Sequence, residues 1–284
     1  MQRFRIGIYE KAMPHSLSWG EKFAAAAAAG YDFIEISIDE TDEKLARLKM
    51  GRAERLELRR RALEAGLPVG TMCLSGHRKY PLGSEDPAVR SRSLAIMEDA
   101  IAFAGDLGIR IIQLAGYDEY YGESNERTRD LFYDGLAASV EMAAAAGVIL
   151  AFETMETEFM NTVEKAMAYV ERIDSPYLQV YPDCGNLTNA ARARGADELA
   201  DLRRGRGHLA ALHLKETLPG KFREIPYGEG HVNFEAIIAT ALELRVGLFV
   251  TEYWYTGQPD YRELVHGSKA FIDRKFAAVR GTIL

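Results

Sequence analysis

An α/β fold, one closed (β/α)8 barrel over residues 1–284, is what this sequence predicts, and three observations carry the prediction. Eight short apolar runs of strand length recur along the chain, rich in β-branched and aromatic residues. Segments with helical periodicity lie between them, and strict strand–helix alternation calls for parallel pairing through right-handed crossovers. Glycine recurs, five times, between a helix and the next strand, where a left-handed residue ends the last turn. An open doubly wound sheet would want a glycine-rich phosphate loop after an early strand, and none follows the first two runs. The pairs Gly205/Gly207 and Gly228/Gly230 lack both a third glycine and a preceding strand.

The elements follow in order. Arg5–Tyr9 (RIGIY) leads to a helix over Leu17–Ala29 that stops at Gly30. Phe33–Ile38 (FIEISI) precedes a helix over Ala53–Ala65 stopped by Gly66. The arginines of that helix interleave with Glu54, Glu57 and leucines, which is a solvated face and not a nucleic-acid patch. Val69–Leu74 precedes a helix over Asp86–Leu107 and Gly108; Ile109–Leu114 precedes one over Glu123–Ala146 and Gly147. Val148–Phe152 is followed by Asn161–Ile173, and Leu178–Tyr181 by Glu198–Arg204. Ala210–Leu214 is followed by Asn233–Arg245 before Gly247, and Leu248–Tyr253 by a last helix over Asp260–Val279.

Composition narrows the function classes. With 48% hydrophobic residues among 284, the chain is an ordinary globular protein and long enough for a large core. Its 35 Lys and Arg against 42 Asp and Glu leave a formal net charge of −7, which opposes a nucleic-acid-binding surface. The N-terminus, with Arg3 and Arg5 followed by Glu10 and Lys11, carries no signal peptide pattern, and the run Ala24–Ala29 is too short to cross a bilayer. A soluble cytoplasmic protein with no membrane partner is the expectation. Two cysteines, Cys73 and Cys184, make neither a disulfide framework nor a zinc knuckle and read as packing residues.

In a barrel of this kind the chemistry is built where strands run out into the following loops, so the last residues of each run are the ones to inspect. They are unusually polar. Glu153, Asp183, His213 and Glu252 come from four successive strands at equivalent places. Three carboxylates and one imidazole suit a divalent ion such as Mn²⁺, Mg²⁺ or Co²⁺; Zn²⁺ is possible, though the set is oxygen-rich for it. Without a cation the converging carboxylates would repel one another. Taken singly, each acid also reads as a loop residue or a helix N-cap.

Six longer strings carry a resemblance: GIYEKAMP (Gly7–Pro14), CLSGHRKYPLGSED (Cys73–Asp86), QLAGYDEYY (Gln113–Tyr121), YPDCGN (Tyr181–Asn186), HLKET (His213–Thr217) and PYGEGHVNF (Pro226–Phe234). They resemble the L-xylulose-5-phosphate 3-epimerase family, historically labelled hexulose-6-phosphate isomerases, within the xylose-isomerase-like barrel superfamily. The similarity extends over essentially the whole chain. It implies metal-dependent epimerisation at C3 of a ketopentose 5-phosphate, L-xylulose 5-phosphate to L-ribulose 5-phosphate, by a homodimeric isomerase. In related ketose 3-epimerases a Glu-Asp-His-Glu set binds the metal, and the matching positions here are Glu153, Asp183, His213 and Glu252. The superfamily often has histidine three residues after the strand-six aspartate; this chain has Asn186, so no histidine role transfers there.

The same residues make a workable mechanism. The C3 proton of a ketose is acidified by the C2 carbonyl, and an enediolate forms as a divalent ion stabilises the developing charge. Two opposed carboxyl groups, Glu153 and Glu252, then remove a proton from one face and return one to the other. For the substrate's phosphate the cations near the mouth are Arg78 and Lys79 beside His77, Lys215 after strand seven, and Arg223 on a following loop. Loop position alone would also explain Arg78, Lys79 and Arg223. His77 is expected to touch substrate, Glu35 to bond at the barrel mouth, and Glu156 to act just outside the ligand set. The rivals are aldose–ketose isomerisation, free-ketose epimerisation, inosose dehydration and, outside enzymes, a sugar-phosphate-binding protein.

Overall fold

All eight predicted runs form strands in the computed structural model, which describes residues 4–283, and every paired neighbour is parallel. Residues 1–3, with Arg3, and residue 284 lie outside the described residues. The strands are β1 (Arg5–Tyr9), β2 (Phe33–Ile38), β3 (Val69–Leu74), β4 (Ile111–Ala115), β5 (Ile149–Glu153), β6 (Leu178–Val180), β7 (Leu212–Leu214) and β8 (Leu248–Thr251). Their order is β6-β5-β4-β3-β2-β1-β8-β7. Single bridges, Val180 to Leu209 and Asp183 to His213, join β6 to β7 and close the ring. The amides of Ala210 and His213 donate across that seam to Val180 O and Pro182 O, each at 2.9 Å.

The helices are α1 (Trp19–Ala28), α2 (Asp42–Ala46), α3 (Arg52–Glu64), α4 (Pro87–Leu107), α5 (Glu126–Ala146), α6 (Val163–Ile173), α7 (Cys184–Arg194), α8 (Glu198–Arg204), α9 (Phe234–Glu243) and α10 (Tyr261–Ile283). Their starts are written locally. Ser18 and Glu21 form a capping box on α1, and Asp86 caps α4 with Pro87 in its first turn. Gly108 and Gly147 end α4 and α5 in the left-handed region, φ 81° and 66°, which a side chain would oppose.

Two readings are corrected here. Gly247 does not end the helix before β8; Arg245 does, with φ 65°, because α9 stops at Glu243 and the chain must turn before Gly247. The stretch Cys184–Arg194, read as connection, is α7. Its first eight residues, Cys184 to Ala191, are buried, so no polar face marks it, and Gly, Asn and Thr are weak helix formers.

Apolar side chains divide into a layer between sheet and helices and a smaller cluster inside the barrel. The inner cluster holds Phe33, Ile111, Ala151, Tyr181 and Val250 and floors the site above it. Phe33 is accommodated because β1 and β3 present glycine to it. A Cβ on Gly7 would lie 2.4 Å from its ring, and one on Gly70 2.5 Å. Outside the barrel, buried Glu10 follows β1 and turns away from the mouth. It accepts the amide of Ser37 at 2.9 Å and pairs with Lys44 and Arg47, tying β1 and β2 to α2.

Gly70→Ala should lower the unfolding free energy by about 1–3 kcal/mol, since the ring cannot move without overpacking its neighbours. Gly105→Ala in α4, where a Cβ meets open space, should raise it by about 0.5–1 kcal/mol. Urea titration followed by circular dichroism measures both, and a neutral Gly70→Ala would show that Phe33 is loosely held.

Candidate active site

The carboxyl ends of β5 to β8 bring four side chains to one point. Glu153 is the last residue of β5, His213 the middle of β7, and Glu252 follows β8. Asp183 stands before α7 as its N-cap, with one carboxylate oxygen accepting the Asn186 amide at 2.7 Å. Cap and candidate ligand are thus the same residue, because a carboxylate has two oxygens. One ligand atom from each of the four lies within 4.8 Å of the others, and all four residues are buried.

The orientation of His213 is set from behind. Nε2 lies 2.7 Å from Glu35 Oε1, while Glu35 Oε2 accepts Thr71 Oγ1 at 2.7 Å and the Tyr181 hydroxyl at 3.0 Å. The Nε2 proton is therefore assigned toward Glu35, which turns Nδ1 to the other three ligands. Nδ1 stands 2.7 Å from Glu252 Oε2, 3.8 Å from Glu153 Oε1 and 3.9 Å from Asp183 Oδ2.

The electrostatics are those of a crowded anionic centre. Burial, then the charge of Glu252, pushes the Glu153 carboxyl up to about 8. Burial likewise raises Asp183 to about 7, against the pull of Lys215. For Glu252 burial is outweighed by Lys215 and His213, which hold it well below the carboxylate range. For His213 burial disfavours charge, yet Glu35 and Glu252 hold the imidazole well above its ordinary value. Asp183 Oδ2 is buried and makes no hydrogen bond, although Lys215 Nζ stands 3.2 Å away as an ion-pair partner. An unbonded carboxylate oxygen facing two glutamates and an imidazole nitrogen fits a divalent cation.

A cavity opens onto Glu153 and Glu252, walled by Tyr9, Met155, Phe222 and Trp254, with Glu156, Arg78 and Arg223 at its edge. Glu156 ties that edge together. It accepts the Tyr117 hydroxyl and an Arg223 NH, each at 3.0 Å, and Tyr117 in turn receives Arg78 at 3.3 Å. Arg78 lies over the Tyr120 ring at 4.7 Å, and its Nε is buried without an acceptor.

Of the expected substrate contacts, Glu35, His77 and Lys79 stand away from the cavity, and Lys215 stands at its floor and not its edge. Glu35 lies beneath the site, fully buried, and bonds His213 instead of bonding at the mouth. Its strand position, inside β2, points it into the barrel below the ligand layer. His77 sits in a buried turn with Nε2 3.2 Å from Ser93 O on α4, and burial pushes its pKa down to about 4, so it stays neutral and packs. Lys215 lines the cavity, but its ammonium is at the floor beside Asp183 and Asn186 and not with the edge cations. Lys79 pairs with Asp42 on the surface. The sequence places Tyr117 among the polar strand-end residues without a role and marks neither Met155 nor Phe222. Tyr117 stands at the end of a strand run and was within reach of that signal; Phe222 sits on a long loop after β7 with no local mark.

The family description "Xylose isomerase-like TIM barrel" matches residues 23–273. The chain is 48% identical over 250 residues to L-ribulose-5-phosphate 3-epimerase UlaE of Escherichia coli O139:H28, covering 88% of this chain and 87% of that protein. The protein of the same name from Shigella sonnei gives the same figures. Among solved structures, an L-ribulose 3-epimerase superposes with a TM-score of 0.79 at 21% identity, covering 99% of this chain and 97% of that one. A D-psicose 3-epimerase superposes at 0.76 and 18%, covering 97% and 98%.

Adding a divalent ion to chelator-treated protein should raise Tm, since its ligands are already gathered in the folded state. Glu35→Gln should weaken that ion's affinity by about 10- to 100-fold by unfastening His213. Titration calorimetry reads the second, and unchanged affinity would remove Glu35 from the orientation of His213.

Proposed function

This chain belongs to the Xylose isomerase-like TIM barrel family, and from that premise we propose that it is a metal-dependent ketose-phosphate 3-epimerase interconverting L-xylulose 5-phosphate and L-ribulose 5-phosphate. The observation that carries the reading is the polarity of one cavity, which Glu153 and Glu252 of the ligand quartet line at its floor and whose edge holds Arg78 and Arg223. Such a cavity suits a small molecule with a chelating hydroxyketone at one end and an anion at the other. The relative 48% identical to this chain is named for that class of substrate.

A divalent ion held by Glu153, Asp183, His213 and Glu252 would supply Lewis acidity to the neighbouring carbonyl and hydroxyl oxygens of the sugar. Mn²⁺, Mg²⁺ or Co²⁺ suit the oxygen-rich set, and Zn²⁺ follows. Each glutamate offers one oxygen as ligand atom and keeps the other for a proton. One takes the C3 proton, the electron pair moves into C2–C3, and the other returns a proton to the opposite face. Reversing the direction exchanges the roles of Glu153 and Glu252. Arg78 and Arg223 bring two guanidinium charges to the cavity edge for the phosphate, with Glu156 and Tyr117 holding both in place. A homodimer, a cytoplasmic setting and a single barrel domain belong to the same reading. Among the described residues no helix is long and apolar enough to cross a membrane.

Glu153→Gln and Glu252→Gln should each abolish epimerisation, and in D₂O the active enzyme should place deuterium at C3; product without that exchange overturns the proton-transfer reading. Arg78→Met should raise KM for the 5-phosphate by about 10- to 100-fold, the worth of a charged hydrogen bond. The free ketose, assayed alongside, should be a poor substrate of both proteins. Equal rates on free and phosphorylated sugar would favour a free-ketose epimerase instead.

A further inference from the structure

Lys215 is a buried cation at the heart of an anion-lined floor, and the paired carboxyl groups of the epimerase reading leave it without a task. Its side chain is 4% exposed, and what it exposes lines the cavity. The ammonium makes one hydrogen bond, to Asn186 Oδ1 at 2.9 Å. Asp183 Oδ2 stands 3.2 Å away and Glu252 Oε2 3.9 Å, as ion-pair partners. Asn186 is itself fixed, donating Nδ2–H to Thr154 O at 2.7 Å and its amide to Asp183 at 2.7 Å. The indole of Trp254 covers the ammonium from one side, 5.9 Å from Nζ to the ring centre.

We propose that Lys215, held by Asn186, is the electrophile of this site: it donates an N–H to the substrate's C2 oxygen as that oxygen gains negative charge. This rests on the epimerase reading. Three features carry it. The first is donor count: of the ammonium's three N–H groups one is spent on Asn186 and a second faces Asp183 Oδ2 at 3.2 Å, which leaves one for a molecule in the cavity. The second is charge. The ammonium stands on the floor between Asp183 and Glu252 and is set against the negative charge that appears on the C2 oxygen during reaction. The third is place: the side chain is otherwise buried and lines the cavity beside Glu153 and Glu252, within reach of a molecule held there.

When a glutamate removes the C3 proton, the C3–H pair becomes the C2–C3 double bond and the carbonyl pair moves onto the C2 oxygen. The Lys215 hydrogen bond strengthens at that moment without giving up its proton. Protonation at C3 from the other face restores the ketone. No co-reactant is consumed.

The test is Lys215→Met in the full chain, with Asn186→Ala as a second variant that keeps the charge but releases its anchor. At saturating Mn²⁺, Lys215→Met should lower kcat by about 100-fold or more, the scale of losing one oriented donor, with KM little changed. Its Mn²⁺ affinity, read by titration calorimetry, should stay equal or tighten, because the competing cation has gone. Asn186→Ala should lose about 10-fold in kcat with Mn²⁺ affinity unaltered. Wild-type kcat in Lys215→Met, or in Asn186→Ala if the first fails to fold, overturns the proposal. So does a loss that excess Mn²⁺ fully restores, which would make Lys215 a brace for the ligands. Wild-type protein without epimerisation would instead remove the epimerase reading, while the Mn²⁺ titration would still report what the ammonium does to the floor.

Discussion

Three carboxylates forced together in a buried barrel mouth are the constraint on which the rest of this molecule depends. Glu153, Asp183 and Glu252 approach one another within 4.8 Å and are nearly removed from water. Left alone, they would push each other's proton affinity up and push the strands apart. Every neighbouring feature answers that problem. His213 inserts between them, Lys215 stands against two of them, Asp183 caps α7, and the remaining unbonded oxygen invites a divalent cation.

The same constraint lies where the barrel is least continuous. Between β6 and β7 single bridges replace a ladder, and one of them joins Asp183 to His213. Two candidate ligands are therefore among the residues that close the ring, beside Val180 and Leu209. A cation shared by them would act as ligand centre and as a staple across the seam, which couples occupancy of the site to stability of the fold. Glu35 extends this inward: it ties His213 to Thr71 on β3 and to Tyr181, so the ligand layer rests on the barrel interior. The polarity outward is the opposite, with Arg78 and Arg223 anchored by Glu156 at the edge. Anionic floor and cationic edge together describe an elongated molecule that chelates at one end and is anionic at the other.

Much of this was legible in the chain, and the reasons differ by residue. The strand runs and the glycines after α1, α3, α4 and α5 are local signals, set by apolar patterning and by backbone freedom at positive φ. The four ligands were readable because a parallel barrel places strand ends at one face whatever the loops do. α7 was not, because a helix buried on nearly all sides shows no polar face. Arg245 at φ 65° was not, because a non-glycine residue held there by its surroundings carries no mark of its own.

By itself, then, the sequence determined the alternation of strands and helices, the parallel barrel and the residues brought to its mouth, since each follows from periodicity and chain direction. Only the tertiary structure decided depth and facing. It turned Glu35 under His213, withdrew His77 into a packed turn against Ser93, and set Lys215 on the floor instead of the edge. Those outcomes depend on which side chain of a distant strand or helix occupies the adjoining space, and separation along the chain carries no record of that.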